Sequence, residues 1–122
     1  MILVDTSVWV EYFRGTDRTA ELGDLLDEGD LLLHPWVLGE LVLGGLGKSR
    51  KSVIADLRRL PESVRVADEE VLELIEARGL SGRAIGWVDV HLLASALVGG
   101  SELWTFDGGL TRVAKDLGIA TR

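Results

Sequence analysis

Apolar residues along this chain gather in short runs set between longer amphipathic stretches. Residues 2–5, 31–33, 64–66, 103–106 and 119–121 have the length and the bulky, often β-branched content of strands. The intervals carry helical spacing, with starts near Ser7, Asp17, Pro35, Ser49, Asp68, Trp87 and Gly109. Pro35 suits a first helical turn, where a missing N–H is harmless, and Asp68 suits a helix cap. The stretch GLSGRAIG at 79–86 reads as a loop between two helices. Strands alternating with helices in this way predict an α/β fold around a small parallel sheet. No repeat, low-complexity tract or linker interrupts the pattern, so residues 1–122 are expected to form one domain.

Composition narrows the picture. With 47% hydrophobic and 27% charged residues the chain has the make-up of a folded protein, which excludes disorder as its main state. The absence of cysteine rules out disulfides, thiolate zinc sites and a cysteine nucleophile. The start, MILVDTSVWV, lacks a basic leader, and no uncharged apolar run approaches the roughly 20 residues of a membrane span, so a cytoplasmic protein with no membrane partner is expected. A net charge of -7 argues against binding nucleic acid by overall charge. Five of the thirteen basic residues nevertheless lie within 48–59: Lys48, Arg50, Lys51, Arg58 and Arg59, with Asp56 the single acid among them.

Most acidic residues fall in mixed polar segments and read as solvated helix faces. Four stand alone in apolar sequence. Asp5 is the one charged residue in 1–10, Glu40 in 35–47, Asp89 in 84–100 and Asp107 in 103–111. On a helix, Asp89 shares its face with Leu92, Leu93, Ala96 and Leu97, and Glu40 is flanked by Trp36, Val37, Leu43 and Gly44, which places both acids on stripes expected to be buried. A buried carboxylate is costly unless paired, hydrogen-bonded or bound to metal, and these windows hold no basic partner. Asp5 and Asp107 follow strands, at the sheet edge where open α/β folds bind ligands. Two structural readings stay open: Asp5 as cap of the next helix, and Asp107 as a turn residue before Gly108 and Gly109. If the four converge, repulsion raises their pKa values or calls for a divalent ion, and hard oxygen ligands suit Mg²⁺ or Mn²⁺ rather than zinc.

Asp5 in VDTSVW, Glu40 in GEL, Asp89 in GWVDVHLLASAL and Asp107 in LWTFD resemble the ordered acidic quartet of the PIN-domain nucleases, and more closely the VapC toxins of VapBC toxin-antitoxin modules. The resemblance runs almost end to end. It implies a parallel five-stranded sheet between helices, a homodimer, and Mg²⁺- or Mn²⁺-dependent endoribonuclease activity restrained by a VapB-type antitoxin. It also implies that Asp5, Glu40, Asp89 and Asp107 are catalytic metal ligands, with Ser7 and Thr105 as polar supports. Such toxins often place a basic residue after the fourth acid, where this chain has Gly108 and Gly109. Divalent ions would activate water and steady the leaving oxygen of a phosphodiester, and would offset part of the negative charge. Arg14, Lys48, Arg50 and Lys51 are the candidate RNA phosphate contacts.

The remaining polar and aromatic candidates carry weaker signals. His34 and His91 need not be ligands. Trp9, Trp36, Trp87 and Trp104 read as core or subunit contacts before they read as base-stacking platforms. Gly39, Gly44, Gly45 and Gly47 suggest a close backbone approach, as at a dimer contact. Competing functions are a PIN nuclease of RNA maturation or decay, a phosphoacceptor domain, and a catalytically silent acidic scaffold. The phosphoacceptor reading expects paired acids after the first strand and a lysine after the last, whereas Asp5 stands alone and Lys115 precedes the last strand candidate.

Overall fold

A computed structural model describes all residues of the chain, 1–122. The elements are β1 (Ile2–Val4), α1 (Thr6–Arg14), a 3-10 turn (Asp17–Thr19), α2 (Leu22–Asp27), β2 (Leu31–Leu32), α3 (Pro35–Leu43), a second 3-10 turn (Gly47–Ser49), α4 (Arg50–Leu57), α5 (Asp68–Arg78), α6 (Trp87–Gly99), β3 (Glu102–Trp104) and α7 (Gly108–Asp116). The three strands are parallel in the order β2-β1-β3, with Ile2 level with both Leu31 and Glu102. The sheet therefore has three strands, not the expected five.

The two missing strands survive as single bridges. Leu33 pairs with Glu62 on one side, where Leu33 N donates to the Pro61 carbonyl and Ser63 N to the Leu33 carbonyl. Thr121 pairs with Leu103 on the other, through Leu103 N to the Ala120 carbonyl and Arg122 N to the Leu103 carbonyl. One paired residue does not make a ladder, and Pro61 has no N–H to extend the first. The pairing also falls at Glu62 rather than in the expected 64–66.

Helix starts hold to within a residue or two except near Asp17, where a 3-10 turn precedes α2. Pro35 opens α3 as its first residue. Asp68 is not a cap: Ala67 occupies that place without a side-chain bond, and Asp68, Glu69 and Glu70 fill the first turn of α5, where negative charge complements the helix dipole. Buried Leu3, Val4, Leu92, Leu93, Leu103 and Leu110 join the sheet to its helices. The middle of α6, from Val90 to Ala96, is buried on all sides, as an almost uniformly apolar helix must be. Gly100 ends it in a left-handed conformation, φ 66°, that turns the chain directly into β3. No helix is long and apolar enough to cross a membrane.

One feature of this topology positions the site. β1 and β3 lie side by side and parallel, so their carboxyl ends share an edge. Asp5 N donates to the Trp104 carbonyl at 2.9 Å, and α1 and α7 start from that same edge.

Candidate functional site

Asp5 is buried at this edge and is the cap of α1. Its Oδ1 accepts from Thr6 N at 2.8 Å, and its Oδ2 accepts from Ser7 Oγ at 2.8 Å and Thr105 Oγ1 at 2.7 Å. Each hydroxyl owns one proton, and both protons are committed to Asp5. The same oxygens then act as acceptors, Ser7 Oγ from Phe106 N at 3.1 Å and Thr105 Oγ1 from Asp107 N at 3.0 Å. This network ties the β1–α1 corner to the β3–α7 corner. Ser7 and Thr105 thus stand where polar supports of Asp5 were expected.

Asp107, four residues past Leu103, caps α7, its Oδ1 accepting from Gly109 N at 2.8 Å and Leu110 N at 3.2 Å. Asp5 is the helix cap that its structural reading expected, and Asp107, expected as a turn residue, is a helix cap as well; neither role uses every oxygen of the pair. The Oδ2 of Asp107 accepts no protein hydrogen bond and the side chain is exposed. A Cβ on Gly109 would meet Asp107 Oδ1 at 3.3 Å, so a small residue there keeps the cap relaxed.

Asp89 sits in the first turn of α6, half-buried, with Oδ2 accepting from Gly86 N at 3.0 Å. Burial holds its pKa above the ordinary 3.8; the charges of Asp5, Asp107 and Glu40 push in the same direction, and the Gly86 N–H opposes them. The other three acids isolated in sequence therefore bear on Asp89 through space.

Glu40 is exposed, not buried as its position on an apolar stripe suggested. The inward residues of α3 are Val37 and Leu41, and Leu43, its expected companion, is 90% exposed. Because α3 is apolar on nearly every face, periodicity alone does not choose the buried one. Glu40 Oε1 accepts from Thr6 Oγ1 at 2.7 Å, which joins α3 to the start of α1. From the sequence Thr6 reads only as an alternative cap of α1, and its link to Glu40 is not expected there; its place beside Asp5 is the available signal.

None of the ion pairs of the structure involves these four acids. Their donor chemistry suits a hard divalent cation, with free oxygens on Glu40, Asp89 and Asp107. No three acidic or histidine side chains approach closely enough to form a ready-made ion cage. Each carboxylate is oriented by its own hydrogen bonds, Asp5 and Asp107 as helix caps, Asp89 to Gly86 N and Glu40 to Thr6.

The basic residues divide into two groups. Lys48 lies in the second 3-10 turn and Arg50 and Lys51 begin α4, all exposed, with Arg50 Nη1 donating to the Val42 carbonyl at 2.6 Å, two residues from Glu40. Arg14 sits at the far end of α1 from Asp5, facing Glu11 at 3.5 Å, and is not drawn to the acids. Gly39 and Gly45 face open space rather than a neighbouring backbone of this chain, and Gly47 has φ 72°.

Both histidines are buried. His34 caps α3, its Nδ1 accepting from Trp36 N at 3.1 Å. Burial, helped by His91 and Arg65 and opposed by Glu62, lowers its pKa to about 4, so it stays neutral at ordinary pH. Trp9 and Trp104 belong to the core, while Trp36 and Trp87 remain more than one third exposed.

Residues 2–116 match the PIN domain family. The chain is 46% identical over 121 residues to Ribonuclease VapC32 from two strains of Mycobacterium tuberculosis, an alignment covering 98% of this chain and 95% of the relative. In structure it is similar to FitAcB from Neisseria gonorrhoeae, with TM-score 0.71 and 23% identity over 99% of this chain and 96% of the other. It is also similar to FitAB bound to an IR36 DNA fragment, with TM-score 0.67 and 22% identity over 100% and 94%. At such identities those two structures speak to the fold alone. The strand-end acids, their supporting hydroxyls and the family match over nearly the whole length agree: this chain belongs to the PIN-domain family.

Proposed function

We propose that this chain is the toxin of a VapBC-type toxin-antitoxin module, a divalent-metal-dependent endoribonuclease acting in the cytosol and neutralised by a VapB-type antitoxin. In this reading residues 1–122 work as a single PIN domain and assemble as a homodimer. The observation that carries the activity is a half-buried Asp89 that feels the charges of Asp5, Asp107 and Glu40, with none of the four acids paired to a cation of the chain. The 46% identity to a protein named Ribonuclease VapC32 supports RNA as the substrate.

Asp5, Glu40, Asp89 and Asp107 would hold Mg²⁺ or Mn²⁺, and such an ion, when bound, activates water and stabilises the leaving oxygen of a phosphodiester. The chain's own residues supply orientation and proton handling. Ser7 and Thr105 fix the orientation of the Asp5 carboxylate by donating both of their protons to it. The raised pKa of Asp89 makes its free oxygen a better proton acceptor than an ordinary surface carboxylate. Lys48, Arg50 and Lys51, exposed just past α3, would hold RNA phosphates.

The test is RNA cleavage with Mg²⁺, with Mn²⁺ or with EDTA, beside Asp5→Asn and Asp89→Asn. Cleavage is expected with metal, none with EDTA, and a loss of about a hundredfold or more in either variant. Unchanged cleavage by folded Asp89→Asn protein rejects the assignment.

A further inference from the structure

A cavity of about 160 Å³ lies beside the acidic edge, between the starts of α3, α5 and α6. Its walls include Pro35, Trp36, Arg65, Asp68, His34 and His91. Three observations set it apart. First, His91 is only 4% exposed and its Nε2 has no hydrogen-bond partner, although Asp68 Oδ1 lies 3.2 Å away without the alignment of a bond. A buried imidazole nitrogen left unsatisfied is uncommon and calls for an explanation. Second, Trp36 lies over the His91 ring at 4.3 Å and 32°, and Trp87 meets the same ring edge-on at 4.6 Å and 84°. The histidine thus orders two indoles that remain 38% and 37% exposed. Third, Arg65 and Asp68 place a donor and an acceptor, both largely in solvent, on the rim of the same cavity.

We infer that this cavity is a nucleobase pocket, in which one base of the RNA packs against the exposed part of the Trp36 indole and is read along its edge by Asp68 and Arg65. An ordered aromatic face next to donors and acceptors is the means by which proteins recognise unpaired bases. A phosphate fits poorly, because Asp68 would repel it, and a purely apolar peptide would leave the Arg65 and Asp68 side chains on the rim unmatched. Position supports the same ligand. Trp36 precedes Glu40 by four residues, about 6 Å along α3 and on one side of it. Trp87 precedes Asp89 by two at the start of α6. A base in the pocket therefore belongs to a nucleotide adjoining the phosphate at the acids, and sequence preference is set beside the cut.

This inference rests on the ribonuclease reading, so the experiment separates the two. Short homopolymeric oligoribonucleotides of the four bases are titrated in EDTA while tryptophan fluorescence is followed, with cleavage measured separately in Mn²⁺. Saturable quenching with a base preference is expected. Trp36→Leu should weaken binding by about tenfold, the usual scale for losing one stacked base. Asp68→Asn, exposed and of the same shape, should reorder the base preference, with the melting temperature followed to register the lost charge in the first turn of α5. Identical affinity and base order in both folded variants overturn the pocket. Dissociation of a dimer by Trp36→Leu, seen in sedimentation with affinity unchanged, also overturns it and assigns the indoles to a subunit contact. Cleavage without quenching rejects the pocket alone, and selective quenching without cleavage rejects the nuclease reading alone.

Discussion

Asp5 and Asp89 show how one residue type takes different roles at one edge. Asp5 accepts three hydrogen bonds, two from side chains that have no other proton to give, and its carboxylate is held as a fixed acceptor. Asp89 accepts one, from Gly86 N, and takes the repulsion of the other acids. Its folded pKa lies above 3.8, so the stability linked to its proton is fully present below the unfolded value and is lost as pH rises through the folded one. At pH 7 the ionised side chain therefore opposes folding. Asn at this position retains an acceptor for the Gly86 N–H and carries no charge. In EDTA, Asp89→Asn should melt a few degrees above the parent protein at pH 7, and the gain should vanish towards pH 3. Melting curves across that range provide the check, and a lower melting temperature at pH 7 would contradict the repulsion assigned to this site.

At the scale of elements, helices that start from strand ends do most of the positioning. α1 and α7 are short, and each is capped by an acid that follows the preceding strand, so residues that shape the fold coincide with two of the candidate site residues. This coincidence is why Asp5 and Asp107 were legible from their isolation alone. Glu40 was legible as an outlier but not in its environment, since a helix reading PWVLGELVL offers no polar face from which to orient it. The strand-like segment 119–121 pairs through a single bridge at Thr121, and beside 64–66 the single bridge falls at Glu62, a matter of tertiary register that local pattern does not contain. The 3-10 turn and the start of α4 present Lys48, Arg50 and Lys51 together, with Arg50 anchored on the last turn of α3. If these three contact phosphates, changing all of them to Gln should weaken RNA binding alike for every sequence. The slope of log affinity against log salt should fall by about 2, at roughly 0.7 per phosphate contact on single strands. Filter binding in EDTA at several salt concentrations measures this, and an unchanged slope identifies them as a solvated helix face.

Across the whole molecule, charge is arranged against its total. The chain is net negative, yet its uncompensated acids gather at the sheet edge while Lys48, Arg50 and Lys51 stand just past α3. A partner that presents one cation to that edge therefore gains attraction that no side chain of this protein already satisfies. A guanidinium bridges two carboxylates through paired hydrogen bonds and does not lose its proton, so an Arg near the end of a VapB-type antitoxin is well suited to the groove by Asp5, Glu40 and Asp89. Arg and Mn²⁺ would then compete for the same oxygens. Titration of an antitoxin tail peptide at several Mn²⁺ concentrations should give an apparent inhibition constant that rises in proportion to metal once the site is saturated. Replacing the Arg of the peptide by Gln should abolish that dependence while leaving any apolar docking in place. An inhibition constant indifferent to metal would reject displacement at the acids and leave obstruction of the RNA path as the mode of control.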